Sequence, residues 1–234
     1  MNVICYYESN GNMFSTQSEQ LIDLWKKSWR DNGFTPVVLG VDDAKQHVSY
    51  DELDLENNNS LLYKIPLNRN RNLNYIRSAY RRLVAYSNYV LSRDTTLYAD
   101  YDVINYNFTV EDYHDIEDGA TIGTGHSSVK LNYEKANLFI EYLYKIQKGK
   151  IPPQESDMHM HSLLEGCMNV SCYRRSYEDQ YCGTMHRGRN EVRNESYMTS
   201  KLVHYDGGLY RFHPELAGLS RYDVIQKVRP IHLK

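Results

Sequence analysis

The sequence contains 234 residues, of which 41% are hydrophobic and 24% charged, and its formal net charge at pH 7 is −3. This length and composition are typical of one soluble globular domain with a sizeable core, and the small negative charge excludes a protein that binds nucleic acid through its overall charge. The sequence shows no apolar run of about 18 residues, no signal peptide and few cysteines, which predicts a reduced, cytoplasmic protein without a transmembrane helix.

Strand-like and helix-like segments alternate along the first half of the chain. Short apolar runs of β-prone residues predict the strands, and apolar residues at intervals of three and four predict the helices. In chain order, the prediction is a strand at 3–7, a helix at 18–32, a strand at 35–41, a short helix at 42–46, a mostly irregular stretch at 56–74, a helix at 74–88 and a strand that ends at Asp100. This order predicts an α/β fold with a mainly parallel central sheet covered by helices on both faces.

The second half of the chain is less regular. Its predicted elements are a strand at 120–124, a helix at 132–148, a short helix at 156–165 and a final strand at 201–205. Residues 167–200 are polar and rich in arginine, and their pattern favours neither helix nor strand. The sequence contains neither an internal repeat nor an interdomain linker, which predicts a single domain over residues 1–234.

The segment TTLYADYDVI, residues 95–104, places two aspartates at the end of an apolar strand. In an open parallel sheet, ligands bind beyond the carboxyl ends of the strands, and the segment 6–8 of the first strand is expected at the same edge. Carboxylate oxygens are ligands of Mg²⁺ and Mn²⁺, which keep further coordination positions for substrate phosphates. The pattern therefore predicts that Asp100 and Asp102 hold a divalent cation against a phosphorylated ligand.

Three short motifs, in this order, resemble the GT-A glycosyltransferases, including small bacterial and viral members and the retaining branches. They are an arginine-bearing helix, the segment YADYDV at 98–103 and the segment VHY at 203–205. The resemblance implies that Asp100, Asp102 and His204 bind Mn²⁺ or Mg²⁺ together with the diphosphate of a nucleotide-sugar. Because the metal neutralises charge on the leaving diphosphate, it would assist sugar transfer without moving a proton.

The resemblance also divides the expected Rossmann-like GT-A domain into two functional halves. Roughly residues 1–105 are expected to bind the nucleotide-sugar, and roughly residues 106–234 to bind the acceptor and to supply His204. The family's helix before the Asp-x-Asp motif carries an arginine, although Asn74 stands where the family often has aspartate. Tyrosine rings stack well on a pyrimidine base, and the implied donor is a UDP-sugar. The candidates for binding it are Tyr6, Tyr7, Glu8, Arg77, Arg81, Asp100 and Tyr101.

An acidic residue near the start of the helix expected at 156–165 is the candidate for the catalytic base. A base must lie within hydrogen-bond reach of the attacking hydroxyl, and the family has an acidic residue at this place. Asp157 is the first candidate and Glu155 the second, while Asp157 as a simple helix cap is the alternative. The late His204 motif favours retention of the sugar's configuration, in which the leaving phosphate itself deprotonates the acceptor.

The acceptor is expected to be a hydroxyl of a glycan or glycoprotein. Three alternatives stay open, of which one concerns the acceptor and two concern the function of the protein. A modified DNA base is the first, because a cluster of arginines is able to contact phosphates. The others are a nucleotidyl- or phosphoryl-transfer enzyme that uses the same metal motif, and a non-catalytic module that binds nucleotide-sugars. No Gly-rich phosphate loop of the P-loop type is present. If the protein is viral, its expected location is the host-cell cytoplasm. The arginines are Arg174, Arg175, Arg187, Arg189 and Arg193.

Overall fold

The computed structural model describes residues 1–8, 19–45, 73–93, 95–123, 127–147, 150, 178–184, 199–205 and 219–231. Most of the irregular stretch expected at 56–74 and the helix expected at 156–165 lie outside the described residues. The same is true of both candidate bases, Asp157 and Glu155, and of the arginine cluster between residues 174 and 193.

Seven strands and seven helices make up the described part of the chain. The strands are β1 (Asn2–Tyr6), β2 (Thr35–Leu39), β3 (Thr96–Ala99), β4 (Val103–Asn105), β5 (Ser128–Leu131), β6 (Cys182–Thr184) and β7 (Leu202–His204). The helices are α1 (Glu19–Arg30), α2 (Val41–Lys45), α3 (Leu73–Leu91), α4 (Val110–His114), α5 (Tyr133–Gln147), α6 (Glu178–Tyr181) and α7 (Arg221–Val228). None of the helices among these residues has both the length and the apolar character needed to cross a membrane.

The main sheet has four strands in the order β2–β1–β3–β5. β1 pairs in parallel with β2 and with β3, whereas β5 runs antiparallel to β3. Because β1 and β3 are parallel, both end at the same edge of the sheet, where Tyr7 and Glu8 follow β1 and Asp100 follows β3. This mostly parallel open sheet with flanking helices confirms the expected α/β class and is compatible with a Rossmann-like domain.

A second, smaller sheet contains three strands in the order β4–β7–β6. β7 runs antiparallel to β4 and parallel to β6. The chain passes from the main sheet to the small one through residues 100–102, which connect β3 to β4. The Asp-x-Asp motif is therefore the connection between the two sheets.

Apolar side chains cover both faces of the main sheet, because successive residues of a strand point to opposite sides. On one face, Ile4 and Tyr98 belong to a core formed with α3 and α5. On the other face, Val3 and Leu97 belong to a core shared with α1, α7 and the small sheet. α1 ends at Arg30, two residues before the predicted end of the helix, and Gly33 follows with a left-handed backbone (φ of 88°), which glycine permits without strain.

Two sequence-based expectations about the second half are corrected. Residues 120–123 are not a strand, since only Thr121 forms an isolated bridge to Val129. The strand is β5, in which the polar residues Ser128 and Lys130 alternate with Val129 and Leu131, so it lacks the apolar run by which strands were predicted. The C-terminal segment, for which no element was predicted after the strand at 201–205, contains the helix α7. An eight-residue helix with a short apolar stripe has a weak periodic signal in sequence.

Candidate metal centre

The Asp-x-Asp motif lies in a tight connection whose backbone is held by three hydrogen bonds. The backbone N–H of Val103 donates to the carbonyl of Asp100 at 2.8 Å, which forms the turn between β3 and β4. The N–H of Asp100 donates to the carbonyl of Ser127 at 2.7 Å, and the N–H of Tyr205 donates to the carbonyl of Asp102 at 3.0 Å. Strands from both sheets thus fix the position of both aspartates.

His204 reaches the aspartates through the small sheet. It is the last residue of β7, and the antiparallel register places it opposite Val103, the neighbour of Asp102. Its Nε2 lies 3.6 Å from Oδ1 of Asp102. Candidate ligand atoms of Asp100, Asp102 and His204 all lie within 4.8 Å of one another. The structure therefore brings together the three residues expected to bind the metal.

These three side chains fit a divalent cation in geometry and in chemistry. Two ligands with bonds of about 2.1 Å to one ion lie at most about 4.2 Å apart, so small side-chain adjustments suffice to close the shell. Among described residues, the buried Nδ1 of His204 lacks a hydrogen-bond partner. Two carboxylates with one imidazole suit Mn²⁺ better than Mg²⁺, because Mn²⁺ is the softer ion and accepts a nitrogen ligand more readily, whereas Mg²⁺ binds almost entirely through oxygen.

Each carboxylate also carries an arginine counterion. Arg82, from α3, donates from one terminal nitrogen to Oδ1 of Asp100 at 2.5 Å, and the hydroxyl of Tyr98 donates to the same oxygen. Arg221, from α7, donates to Oδ2 of Asp102 at 2.8 Å and to the hydroxyl of Tyr101 at 2.8 Å. These contacts hold the side chains of the centre in one arrangement.

The surroundings of Asp100 act on its carboxyl in opposing directions. Burial has the largest effect and raises its pKa, because the charged form loses hydration. The positive charge of Arg82 lowers the pKa, while the negative charge of Asp102 raises it again. The net direction is upward.

A second ion pair lies beyond the end of β1, at the same edge of the sheet. One terminal nitrogen of Arg81 donates to Oε1 of Glu8, and the hydroxyl of Tyr6 donates to Oε2 at 3.0 Å. The backbone N–H of Tyr7 donates to Leu39 at 2.9 Å and so continues the pairing of β1 with β2. Two of the expected nucleotide-binding residues, Glu8 and Arg81, are thus each other's partners in the structure.

The sequence interpretation did not find two arginines of this centre. It selected Arg77 and Arg81, but the side chain of Arg77 lies outside the described part, and Arg82 is the residue that reaches Asp100. The position of Arg82 next to Arg81 was the available signal. Neighbouring residues on a helix point in different directions, so the two arginines could be expected to contact different partners. For Arg221 there was no local signal, because it lies 119 residues from Asp102.

Comparisons with known proteins do not assign the chain to a family. No protein-family model matches the sequence, and a search of curated proteins finds no significant match. Function is therefore inferred from the residues of the centre and their surroundings.

Proposed function

We propose that this protein is a metal-dependent glycosyltransferase that moves a sugar from a nucleotide diphosphate sugar to a hydroxyl acceptor. The observation that carries the proposal is the cluster of Asp100, Asp102 and His204 at the carboxyl edge of a mostly parallel sheet. Ligands of open α/β sheets bind at this edge. The motif resemblance to GT-A glycosyltransferases supplies the reaction class.

Each residue of the centre has a role in this reaction. Asp102 and His204 offer ligand atoms from neighbouring strands, and Arg82 orients Asp100 for the same purpose. A divalent cation bound here supplies electrostatic stabilisation of the negative charge that develops on the departing diphosphate. Because backbone hydrogen bonds and arginines preorganise the carboxylates, little reorganisation would accompany the reaction.

A UDP-sugar is the proposed donor, and Mn²⁺ the favoured metal over Mg²⁺. The candidates for binding the nucleoside are Tyr6, Tyr7 and Glu8, at or just after the end of β1. β1 lies next to β3, which leads into the aspartates, so a nucleoside would extend towards these residues from a diphosphate held at Asp102. A hydroxyl of a glycan or glycoprotein is the proposed acceptor, with retention favoured by the His204 motif. The assignment of Asp157 or Glu155 as base stays a prediction.

Thermal unfolding with nucleotides and Mn²⁺ tests the donor site. We expect UDP and Mn²⁺ together to raise the melting temperature more than the sum of their separate effects, because each supplies ligands or charge for the other. The Asp102→Asn variant should lose this joint increment, since an amide is a weaker metal ligand than a carboxylate. The control Asp23→Asn, at a side chain that is 77% exposed on α1, should keep it.

His204 provides a second test of the same centre. We expect His204→Gln to lower the affinity for Mn²⁺ in the presence of UDP by at least about tenfold, because even the loss of an outer partner of a metal ligand costs about 10- to 100-fold. The control His114→Gln changes an exposed histidine of α4. Equal affinities in both variants would remove His204 from the metal shell.

The products identify the bond that is broken. Incubation of a panel of nucleotide-sugars with Mn²⁺ and no added acceptor should release UDP and free sugar slowly, with water as the acceptor. Release of UMP and a sugar 1-phosphate would instead indicate cleavage within the diphosphate and favour a nucleotidyl- or phosphoryl-transfer enzyme. Joint binding of UDP and Mn²⁺ without release under any acceptor would favour a binding module. No joint stabilisation with any nucleotide would contradict the proposal.

A further inference from the structure

Besides His204, the metal centre contains two carboxylates and two guanidinium groups whose formal charges cancel. Asp100 and Asp102 contribute two negative charges, and Arg82 and Arg221 contribute two positive charges at contact distances. Exposure of these side chains is low, at 16% and 8% for the aspartates and 18% and 7% for the arginines. Solvent therefore screens the four charges less than it screens ion pairs on an open surface.

A balanced centre of this kind binds a bare divalent cation poorly. The cation would bring two positive charges into partly buried surroundings that already hold two guanidinium groups, and like charges repel strongly where hydration is reduced. A diphosphate ligand reverses this balance, because its negative charges compensate both the cation and the arginines. Arginine is also well suited to phosphate oxygens through its planar fork of donors.

The position of Arg221 shows that it is a fixed part of the centre. It is the first residue of α7, whose N-cap is Ser220 and whose Val224 and Ile225 are fully buried against the small sheet and α1. Its terminal nitrogen donates a hydrogen bond to Oδ2 of Asp102, while Oδ1 faces Nε2 of His204. The contact with Arg221 therefore directs Oδ1, the other carboxylate oxygen, towards the position of the metal.

We propose that Arg221, together with Arg82, makes divalent-cation binding conditional on a phosphate-bearing ligand. This inference rests on the proposed function, because it treats the same centre as the donor site. Arg221 is a positioning residue: it orients Asp102 and supplies the positive charge that disfavours the cation alone. The cation and the diphosphate then bind as a coupled pair, and neither occupies the centre well without the other.

Equilibrium dialysis of Mn²⁺, with and without inorganic pyrophosphate, measures this coupling directly. Any Mn²⁺–pyrophosphate complex distributes equally across the membrane, so the excess on the protein side is bound metal. For the unmodified protein we expect pyrophosphate to tighten Mn²⁺ binding by at least about tenfold. Arg221→Gln should bind Mn²⁺ alone at least about tenfold more tightly, because one nearby positive charge is gone. The enhancement by pyrophosphate should shrink accordingly.

Three further variants separate charge from structure. Lys227→Gln removes one positive charge from the same helix at an exposed side chain, so it should behave as the unmodified protein. Arg221→Lys keeps the charge and should keep the coupling. Arg82→Gln should shift Mn²⁺ binding in the same direction as Arg221→Gln, and it decides the question if circular dichroism shows that Arg221→Gln is unfolded.

The results distinguish this inference from the proposed function. Unchanged or weaker binding of Mn²⁺ alone in the folded glutamine variants would overturn the inference, as would a lysine variant that behaves like the glutamine one. UDP release in those circumstances would leave the glycosyltransferase proposal standing. Conversely, arginine-dependent coupling to pyrophosphate without any response to UDP or nucleotide-sugars would retain the inference and overturn the proposed function. Absence of coupling in the unmodified protein overturns the inference.

Discussion

Asp102 joins three parts of the protein through three different atoms. Its carbonyl oxygen accepts from the backbone of Tyr205, Oδ2 accepts from Arg221, and Oδ1 faces His204. A substitution at this position therefore changes packing, charge balance and metal binding together. For this reason, the rise in melting temperature that a ligand causes in the Asp102 variant measures the metal role better than the stability of the variant without ligand.

The pair of Glu8 and Arg81 makes a different contribution at the residue scale. Both side chains are largely buried, with exposures of 10% and 12%, and Glu8 also accepts from Tyr6. We expect Glu8→Gln to lower the free energy of unfolding by about 2 to 3 kcal/mol, because it breaks a largely buried ion pair. Urea unfolding followed by circular dichroism measures this change.

Two controls accompany the Glu8 prediction. Asp31→Asn breaks an exposed pair with Lys27 and should cost at most about 1 kcal/mol. The double variant Glu8→Gln with Arg81→Gln should regain part of the lost stability, since the Arg81 charge is removed together with the Glu8 carboxylate. A Glu8→Gln variant as stable as the unmodified protein would show that the ion pair does not support the fold.

At the scale of elements, a capping box holds the N-terminus of the short helix α4. Thr109 and Asp112 form a reciprocal capping box, in which the N–H of Thr109 donates to Asp112 at 2.9 Å. Asp112 also accepts from Nζ of Lys201 at 2.6 and 2.7 Å, just before β7. The cap therefore links α4 to the strand that carries His204.

Loss of this carboxylate should weaken the fold in a pH-dependent way. We expect Asp112→Asn to lower the free energy of unfolding by about 1 kcal/mol at pH 7. Burial alone would raise the pKa of Asp112, but its hydrogen bonds with Lys201 and Thr109 outweigh burial and hold the pKa below its ordinary value. Since the folded pKa is the lower one, the stabilisation is present above the ordinary aspartate pKa of about 3.9 and disappears as pH falls below it.

Thermal unfolding of both proteins at neutral and acidic pH checks the Asp112 prediction. The difference between them should be full at neutral pH and should shrink in acid. Asp115→Asn, at the exposed C-cap residue that follows the same helix, should remain close to the unmodified protein at every pH. A difference that grows in acid would contradict the sign derived from the lowered pKa.

Elements with strong periodic signals were predicted well, and elements without them were not. α1 was expected within a few residues because Leu21, Trp25 and Trp29 form an apolar stripe that is buried in the structure. β5 was missed because polar residues occupy buried positions: Nζ of Lys130 donates to the backbone carbonyls of Tyr113 and Ile116. A buried lysine of this kind looks like a surface residue in sequence, since its partners, two backbone carbonyls and the Asp118 carboxylate, lie elsewhere along the chain.

At the scale of the whole molecule, the small sheet and α7 are tied together by a tyrosine. The hydroxyl of Tyr106, just after β4, lies 2.6 Å from the hydroxyl of Tyr205 and donates to the carbonyl of Arg229 at 2.8 Å. Arg229 in turn lies over the ring of Tyr106 at 3.8 Å. These contacts hold the C-terminal helix, and with it Arg221, against the metal centre.

Ionisation of Tyr106 should loosen this connection in alkali. Burial raises its pKa to about 12, with the hydrogen bond from Tyr205 and the charge of Arg229 opposing the rise. An unfolded tyrosine ionises near pH 10, so between about pH 10 and 12 the folded state retains a proton that the unfolded state has lost. Stability should therefore fall as pH rises through this range.

The Tyr106→Phe variant isolates this contribution. Without the hydroxyl, we expect a shallower loss of stability between about pH 10 and 12, measured by urea unfolding at each pH. Tyr133→Phe, at a side chain that is 64% exposed, should follow the unmodified protein. Equal slopes for both variants would show that Tyr106 does not retain its proton in the folded state.

The sequence by itself determined the α/β class, most of the first-half elements and the candidate metal ligands. Local periodicity predicts α1 and α3, and the apolar run before Asp100 predicts β3, because burial of one face requires a regular spacing of apolar residues. Asp100, Asp102 and His204 could be selected from short motifs, and the structure brings them within 4.8 Å of one another.

Only the tertiary structure decided how the centre is charged. Arg82 and Arg221 reach the aspartates from two different helices, 18 and 119 residues away along the chain. Contacts of this kind depend on how helices pack against the two sheets, and the residues near Arg221 give no signal that it contacts Asp102. The sequence therefore indicated a metal site, and the fold added the two counterions on which the proposed coupling to a phosphate ligand depends.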